Sequence, residues 1–336
     1  MKPHNREVVL TAKPEGPATV HCFGERASDV AEPADGEVLL RNVYLSCDPH
    51  LRQEMDSDRP LPRPVSSRVV GLVERSRHPD FLPGDVAWGQ GRWELFSVCP
   101  GPALTKVDPA IGPISHAISV RGMPGLTAYV AMTDVGRPAA GETVLVSAAA
   151  GAVGSLAGQF AKLAGARAVG MVGSDAKADH VVRRLGFDGA VNYRASGTLG
   201  EAVSAACPAG VDVYFDCVGG EALETALAAS NLRARFVLCG MIAGYDGRPA
   251  AGVRNLMQAV TSAVTMTGFR VSMHKHRLPS YAAMAAELLA ADRIRYTEDI
   301  REGLWAAPAA FIGMLHGDNI GKRLVRVSED PYLRHG

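Results

Sequence analysis

The sequence has no surplus of charge and no long apolar segment. Its 35 Lys and Arg residues balance its 35 Asp and Glu residues, so it lacks the basic surface that binds nucleic acid or an anionic membrane. Lys162 and Arg167 interrupt the most apolar stretch, which leaves it too short to cross a bilayer. Residues 1–7 lack the apolar core of a signal peptide. We therefore expect a cytoplasmic protein with neither nucleic acid nor a membrane as partner.

Cysteine is scarce and scattered, which limits both disulfides and metal sites. The sequence contains six cysteines and no Cys-x-x-Cys pair, so we expect reduced, mostly buried thiols. Catalytic zinc needs three Cys, His or acidic ligands and structural zinc usually needs four clustered cysteines, and neither grouping is present. His274 and His276 form the one close histidine pair and are interpreted as part of a surface loop. We therefore expect no bound metal. The cysteines are Cys22, Cys47, Cys99, Cys207, Cys217 and Cys239.

A strand, a turn of small residues and a helix are predicted to follow one another in residues 143–164. The turn contains Ala149-x-Gly151-x-x-Gly154, the dinucleotide fingerprint with Ala in place of its first glycine. Small residues there let a pyrophosphate approach the backbone amides and the positive end of the helix dipole. An alanine- and glycine-rich helix start would look similar, but a second strand, residues 166–172, follows at βαβ spacing. This context favours a nucleotide cofactor site.

The end of that second strand indicates which nucleotide is bound. An NAD site usually has Asp or Glu there to bind the ribose hydroxyls, whereas this chain has Gly173 and Ser174. Ser174 can donate to a phosphate and Lys177 can neutralise one, so NADP(H) is favoured over NAD(H). A carboxylate at Asp175 would repel a phosphate, but an acid in the first turn of a helix with Ser174 as N-cap is the better interpretation. Lys177 could equally be a solvated helix residue.

The periodicity of the sequence changes along the chain. Residues 1–118 show short strand-like runs separated by Gly and Pro, which is typical of a compact β-rich domain. In residues 119–295, strands alternate with helices, which predicts a doubly wound parallel sheet and an α/β fold. Residues 296–336 end in an alternating run at 322–327, which we expect to pair back with the first domain.

Within the second domain, individual elements can be predicted. The strand candidates are 211–216, 234–239 and 264–269, and the helix candidates are 221–230 and 279–291. Ligands of such sheets bind at the carboxyl ends of the strands, in the crevice at the point where the strand order reverses. The residues predicted at these ends are Gly151, Ser174, Cys217, Cys239 and Phe269.

The order of these segments resembles the medium-chain dehydrogenase/reductase superfamily, in which a GroES-like domain precedes a Rossmann domain. The sequence is most similar to its zinc-independent double-bond reductases, the branch of prostaglandin reductase, the plant alkenal reductases and curcumin-reductase-like proteins. The resemblance covers nearly the whole chain in the order of the family. It rests on residues 44–49, 78–85, 122–129, 148–154, 173–177, 192–193, 212–221, 239–245, 268–272 and 319–322.

The resemblance implies NADP(H) as cofactor and assigns residues to it. The loop 151–154 would hold the pyrophosphate, Lys177 and Tyr193 would contact the adenosine phosphate side, and Asn319 would lie at the nicotinamide end. The implied cofactor residues are Gly151, Ala152, Val153, Gly154, Ser174, Lys177, Tyr193, Cys217, Cys239, Gly240, Met241, Tyr245, Phe269, Val271 and Asn319. The implied substrate pocket contains His50, Met123, Phe269 and Met273. A homodimer is also expected.

The implied reaction is reduction of the carbon–carbon double bond of an α,β-unsaturated carbonyl compound. Hydride would reach the β-carbon, and Tyr245 and the cofactor ribose hydroxyl would stabilise the enolate. Tyr245 or water could supply the proton. On its residues alone, Tyr245 beside Gly244 would be interpreted as a turn tyrosine. A quinone reductase or alcohol/ketone oxidoreductase on the same scaffold and a non-catalytic NADPH-binding protein are alternatives.

Three departures from the family pattern bear on affinity and substrate. Cys217 stands where the branch usually has Asn, and Cys is a poor hydrogen-bond donor that could alter cofactor affinity. His50 stands where the branch has Tyr, and could be a proton donor, although a pocket-wall residue is the favoured interpretation. Residues 64–69 replace a Gly-rich loop. We therefore expect a substrate preference that differs from that of the best-known family members.

Overall fold

The computed structural model describes residues 4–195, 197–245 and 252–333, and the chain divides into two compact units. One unit comprises Met1–Ser119 and Glu298–Gly336, and the other comprises Val120–Thr297. Below they are called the antiparallel unit and the parallel unit. Within the described residues, no helix has both the length and the apolar character needed to cross a membrane.

The antiparallel unit is built mainly from β-strands. Its larger sheet has the order β15-β16-β3-β5-β6-β8, with β7 paired to β3, and its smaller sheet has the order β2-β1-β4. Every pairing is antiparallel except that of β15 with β16. The strands are β1 (His4–Leu10), β2 (Phe23–Asp29), β3 (Glu37–Ser46), β4 (Arg63–Pro64), β5 (Ser66–Ser76), β6 (Val86–Arg92), β7 (Phe96–Pro100), β8 (Thr105–Val107), β15 (Glu298–Glu302) and β16 (Lys322–Arg326). The helices are α1 (Leu51–Met55), α9 (Ala307–Leu315) and the 3-10 helices Val20–Cys22, Gly101–Ala103, Ile114–Ile118 and Leu304–Ala306.

Strand β3 is the centre of this unit because both of its faces are covered. Leu40 and Leu45 pack in a cluster with Trp93 and Phe311, whereas Val43 packs in a second cluster on the opposite side. Strand β16 from the end of the chain pairs with β3, as the alternating run predicts. Burial on both faces explains why β3 has an almost continuous apolar sequence.

The parallel unit is a single six-stranded sheet with helices on both faces. Its strand order is β11-β10-β9-β12-β13-β14, and all pairings are parallel. The strands are β9 (Thr143–Val146), β10 (Arg167–Val172), β11 (Gly189–Asn192), β12 (Val211–Asp216), β13 (Ser230–Leu238) and β14 (Thr265–Gly268). The helices are α2 (Met123–Val130), α3 (Gly154–Leu163), α4 (Asp175–Asp179), α5 (Leu199–Ala206), α6 (Gly220–Ala228), α7 (Met257–Thr261) and α8 (Leu278–Ala290). The π-helical segments Ala131–Gly136 and His180–Arg184 follow α2 and α4, and the 3-10 helices are Ile242–Gly244 and Val271–Arg277.

Alternate residues of each central strand fill two separate apolar clusters. Val144 and Phe215 pack on one face with α3, whereas Leu145 and Tyr214 pack on the other with α6. The α/β fold predicted from the sequence is therefore confirmed, with an antiparallel unit and a Rossmann-like parallel sheet.

Some element ends differ from the prediction. The helix predicted at 221–230 is α6, which ends at Ala228, because Ser230 already pairs with Val211 and begins β13. Cys239 lies just beyond β13 and not inside it. His274 and His276 lie in the 3-10 helix Val271–Arg277, where the sequence had indicated a loop.

A buried ion pair joins β16 to the loop after β3 in the antiparallel unit. The Lys322 ammonium donates to the Asp48 carboxylate at 2.8 Å and to the Cys47 carbonyl at 2.6 Å. Arg68 and Ser46 donate to the other oxygen of Asp48. Burial alone would raise the pKa of the Asp48 carboxyl, but the charges of Lys322 and Arg68 outweigh burial and hold that pKa below its usual range. The pair therefore remains ionised at neutral pH.

Replacing Lys322 should destabilise the protein strongly. Lys322→Met leaves the buried carboxylate without its closest cation, and breaking a buried pair costs about 3–5 kcal/mol. The measurement is the urea midpoint of unfolding at neutral pH. Because the folded pKa of Asp48 is lowered, its contribution is complete above the unfolded value of about 4 and declines as the pH falls further. The difference in urea midpoint between Lys322→Met and the unaltered chain should shrink only in that acid range.

Lys106 supplies a matched control in the same unit. It forms a half-exposed ion pair with Asp85 at 2.8 Å, and such pairs contribute about 0–1 kcal/mol. Lys106→Met should therefore leave the midpoint nearly unchanged. Equal losses for the two variants would show that the Asp48–Lys322 pair has no special role in stability.

Candidate active site

The carboxyl ends of the six parallel strands place the predicted cofactor residues in one row. The strand order reverses beside β9, whose neighbours are β10 and β12, so a crevice is expected between their ends. Across the sheet from β11 to β14, the residues that follow the strands are Tyr193, then Ser174 and Lys177, then Gly151–Gly154, then Cys217, then Cys239–Tyr245, and finally Phe269 and Val271.

The loop between β9 and α3 folds tightly against itself at the N-terminus of the helix. A Cβ on Gly154 would lie 2.5 Å from the Ala148 carbonyl oxygen, so only glycine fits where the loop folds against itself. Ala148 itself adopts a φ of +48°, a conformation that L-residues rarely take. Within the described residues, the buried Ser155 hydroxyl has no hydrogen-bond partner. A phosphate oxygen at this N-terminus would satisfy it.

Polar groups gather where β10 and β11 end. Ser174 caps α4 by accepting from the Lys177 amide at 3.3 Å, as predicted, and its hydroxyl hydrogen can still donate. The carboxylate of Asp175 accepts from Asn192 at 2.8 Å, which gives this acid a partner within the protein. A Cβ on Gly173 would lie 2.7 Å from the Tyr193 hydroxyl oxygen. Tyr193 and the capped helix start are therefore neighbours.

Arg194 is a basic residue at this end that the sequence reasoning overlooked. Its guanidinium lies 5.7 Å from the centre of the Tyr193 ring. Its Nε would be 3.6 Å from a Cβ on Gly173. The only sequence signal was its position directly after the Asn-Tyr pair of residues 192–193.

The buried carboxylate of Asp216 ties the end of β12 to the end of β9. One of its oxygens accepts from Ser147 at 3.2 Å and from Tyr214, Val218 and Gly219 at 2.9 Å each. Ser147 in turn accepts from the Cys217 amide at 2.8 Å. The second oxygen of Asp216 is buried and has no partner within the described residues. Sequence reasoning gave Asp216 no role, although it ends a predicted strand.

Tyr245 and the two cysteines come together beyond β12 and β13. A Cβ on Gly240 would lie 3.5 Å from the Tyr245 hydroxyl oxygen and 3.6 Å from the Cys217 carbonyl oxygen. Burial raises the pKa of Tyr245 more than the Met241 amide lowers it, and the two cysteines raise it further. The half-buried hydroxyl therefore stays protonated at neutral pH and can donate a hydrogen bond.

The remaining predicted residues of the parallel unit differ in how far their side chains are exposed. Phe269 and Val271 are half-buried against the apolar cluster that contains Phe215. Met241 and Met273 are exposed, the latter at 75%. Met123 is only 5% exposed within the same cluster, so its side chain is part of the core and not of an open surface.

Two predicted residues belong to the antiparallel unit. His50 occupies the N-cap position of α1 without a capping hydrogen bond from its side chain, and it is half-exposed with its Nε2 3.9 Å from Glu54. Asn319 is buried, and its amide donates to the Gly321 carbonyl at 2.7 Å. The segment that replaces the Gly-rich loop contributes Pro64 to β4 and residues 66–69 to β5. It is thus mostly strand and not a loop.

The described residues contain no group of side chains suited to holding a metal ion. Nowhere in residues 4–195, 197–245 or 252–333 do three His, Cys, Asp or Glu side chains form a group that could hold one. All six cysteines are free thiols.

Two family models match the chain. The zinc-binding dehydrogenase model covers residues 152–287, and the model of the N-terminal domain of oxidoreductases covers residues 6–107. The fold and the row of strand ends define a dinucleotide-binding oxidoreductase of this class.

Relatives of known identity refine that class. The NADP(+)-dependent 2-alkenal reductase of Nicotiana tabacum is 40% identical over 88% of both chains. The NADPH-dependent curcumin reductase of Escherichia coli is 36% identical over 98% of this chain and 99% of the relative. The crystal structure of CurA from Vibrio vulnificus in complex with NADPH is 35% identical, has a TM-score of 0.90, and covers 97% of this chain and all of its own. The chain belongs to the medium-chain dehydrogenase/reductase superfamily, in its double-bond reductase branch.

Proposed function

We propose that this protein uses NADPH to reduce the carbon–carbon double bond of an α,β-unsaturated aldehyde or ketone. As a member of its branch, it is an NADP(H)-dependent oxidoreductase that acts on CH–CH bonds. The observation that carries the proposal is the row of strand ends, which begins at Tyr193 and reaches the protonated hydroxyl of Tyr245.

The residues of this row suit NADP(H). The tight turn at Gly154 and the unpartnered Ser155 hydroxyl favour the pyrophosphate on the N-terminus of α3. Ser174, Lys177, Tyr193 and Arg194 would surround the adenosine phosphate. Residues Cys217, Gly240, Tyr245 and Phe269 would lie at the nicotinamide end, where bound NADPH supplies the hydride.

Tyr245 would act as the hydrogen-bond donor to the substrate oxygen. Its raised pKa keeps the proton on the hydroxyl, so the residue can donate throughout the neutral range. A donor held in position strengthens its interaction as negative charge develops on the carbonyl oxygen, which lowers the barrier. His50 would line the substrate side and influence which substrates bind, since its half-exposed imidazole replaces an aromatic residue of the branch.

We further propose that the protein works without zinc, because its described residues offer no ligand group. Exhaustive chelation should leave activity and the melting temperature unchanged, and elemental analysis should find no stoichiometric zinc. Activity that is lost on chelation and restored by zinc would contradict this proposal.

We also propose a cytoplasmic homodimer. The free thiols suit a reducing compartment. Strand β14 is an edge of the described sheet, and the nearby α7 exposes Met257 and Val260 at more than 70%. Exposed edges and apolar patches of this kind favour association with another chain. Light scattering should give twice the mass of the chain.

Lys177 should distinguish NADPH from NADH. Only NADPH carries the extra phosphate, and a charge-assisted contact contributes roughly 1.5–3 kcal/mol. Lys177→Ala should therefore weaken NADPH binding about ten- to a hundredfold and leave NADH binding nearly unchanged. Fluorescence titration with both cofactors measures this difference.

Arg183 provides a control of the same charge that follows α4. It is 80% exposed and pairs with Asp179, so Arg183→Ala should weaken neither cofactor. An equal loss of NADPH and NADH affinity in Lys177→Ala would mean that Lys177 has a structural role and no contact with the phosphate.

Replacing Tyr245 should affect the rate of turnover, whereas replacing His50 should affect substrate preference. Tyr245→Phe should lower kcat with little change in NADPH binding. Removing one such donor typically costs about a hundred- to a thousandfold, and the cofactor ribose hydroxyl offers a second donor, so about a hundredfold or less is expected. In the unaltered protein, any loss of rate from ionisation of Tyr245 should appear only above about pH 10, because the pKa is raised.

His50→Phe should change the order of preferred substrates more than the maximum rate. The measurement is a panel of enones, enals and quinones with NADPH absorbance as the readout, and it also tests the alternative of a quinone reductase. If His50→Phe abolished turnover and Tyr245→Phe did not, the imidazole and not the phenol would be the donor. No oxidation of NADPH with any panel member would favour a non-catalytic NADPH-binding protein.

A further inference from the structure

Two cysteines follow the last residues of neighbouring parallel strands. The final register pair of β12 and β13 is Asp216 with Leu238, so Cys217 and Cys239 occupy the next position on each strand. The Cys239 amide donates to the Asp216 carbonyl at 2.8 Å, which shows that the two backbones remain adjacent there. Neighbouring strands lie about 4.7–4.9 Å apart, and disulfides join Cα atoms about 4.4–6.8 Å apart. The backbone spacing suits a disulfide.

The two side chains also lie on the same face of the sheet. Phe215 and Val237 form a register pair and belong to one apolar cluster, and each cysteine lies two residues further along the chain, just beyond the end of its strand. Both cysteines pack against that same cluster. The Cys239 side chain lies close enough to the Cys217 thiol to raise the pKa of that thiol. The two side chains are therefore neighbours.

Accessibility separates this pair from the other cysteines. Cys217 and Cys239 are both partly exposed, whereas the remaining four are buried: Cys22, Cys47, Cys99 and Cys207. A small oxidant would reach the pair first.

We propose that Cys217 and Cys239 form a dithiol site that a hydroperoxide converts reversibly into a disulfide. The Cys239 sulfur attacks the terminal oxygen of the hydroperoxide, the O–O bond breaks, and a sulfenic acid forms on Cys239 as the alkoxide takes up the Cys239 proton and leaves as an alcohol. The Cys217 sulfur then displaces the sulfenic hydroxyl, which leaves as water with the Cys217 proton. In total, two thiols and one hydroperoxide give one disulfide, one alcohol and one water in a two-electron exchange.

The proposal assigns Cys217 to the second step. The Cys239 thiol, together with burial, raises the pKa of the Cys217 thiol well above its usual range. A protonated thiol is a poor first nucleophile, whereas in the second step Cys217 attacks a sulfur atom that is already beside it.

The disulfide would lie beside the residues assigned to the nicotinamide end. The Ile242 amide donates to the Cys217 carbonyl at 3.2 Å, and the Tyr245 hydroxyl lies next to Gly240. A disulfide between Cys217 and Cys239, the first residue of the loop 239–245, would shift that loop. Weaker NADPH binding is therefore expected in the oxidised protein, and this consequence, unlike disulfide formation itself, rests on the proposed function.

The site is tested by treating the full-length protein with excess hydrogen peroxide, digesting it without reductant and mapping the peptides by mass spectrometry. We expect a linked Cys217–Cys239 peptide, a fall in titratable thiols from six to four, and recovery of all thiols with dithiothreitol. Cys207→Ser should still form the link, and Cys217→Asn should not. A linked peptide that is absent from the oxidised, unaltered chain, or Cys239 found only as sulfinic or sulfonic acid, would overturn the proposal.

NADPH titration then tests the effect of the disulfide on cofactor binding separately from disulfide formation itself. Oxidation should weaken NADPH binding by about 5- to 150-fold, and by linkage NADPH should protect the pair from oxidation. A disulfide that forms without any change in NADPH affinity would overturn the regulatory consequence. Reduced protein that fails to bind NADPH would overturn the proposed function, whatever the state of the cysteines.

Discussion

The carboxylate of Asp216 is the interaction on which the geometry of the site depends. A single buried oxygen accepts from the hydroxyls of Ser147 and Tyr214 and from the amides of Val218 and Gly219. These donors come from the ends of β9 and β12, the two strands between which the strand order reverses. A buried carboxylate without such donors would be costly, so the four hydrogen bonds hold the two turns in one arrangement. The positions of Cys217 and of the loop after β9 follow from that arrangement.

The order of the strands places this local contact on a long edge of the sheet. Because all six strands of the parallel unit run in the same direction, their carboxyl ends share one edge, and residues far apart in sequence become neighbours. Tyr193 and Phe269 are separated by 76 positions in the chain yet lie along the same edge. The chemistry of this edge changes from basic and polar at β10 and β11 to thiol, phenol and apolar side chains at β13 and β14. That gradient matches a ligand with a phosphate at one end and an uncharged reacting ring at the other.

Local patterns predicted most of the framework of this unit and only part of the site. The strand at 211–216 was predicted to the residue, and Ser174 was correctly predicted as an N-cap, because both depend on short-range periodicity and capping chemistry. The end of α6 was missed because β13 pairing at Ser230 ends the helix, which is a tertiary effect. Arg194 and Asp216 were overlooked because their roles depend on neighbours from other strands. Met123 matched a motif of the family, and the structure adds that its side chain is buried in an apolar cluster, which the motif alone does not reveal.

Cys217 shows how one departure from a family pattern can change the chemistry of a site without changing its fold. The backbone at this position is held by the Ser147 hydroxyl and by the neighbouring carboxylate of Asp216, so the turn does not depend on the side chain of residue 217. An Asn there would present an amide to whatever lies in the crevice, whereas the thiol lies beside the side chain of Cys239. The substitution therefore removes a strong hydrogen-bond donor from the proposed cofactor site and creates a pair of adjacent thiols. A rigid backbone that tolerates the exchange of one side chain is what allows the binding edge to acquire a second kind of reactivity.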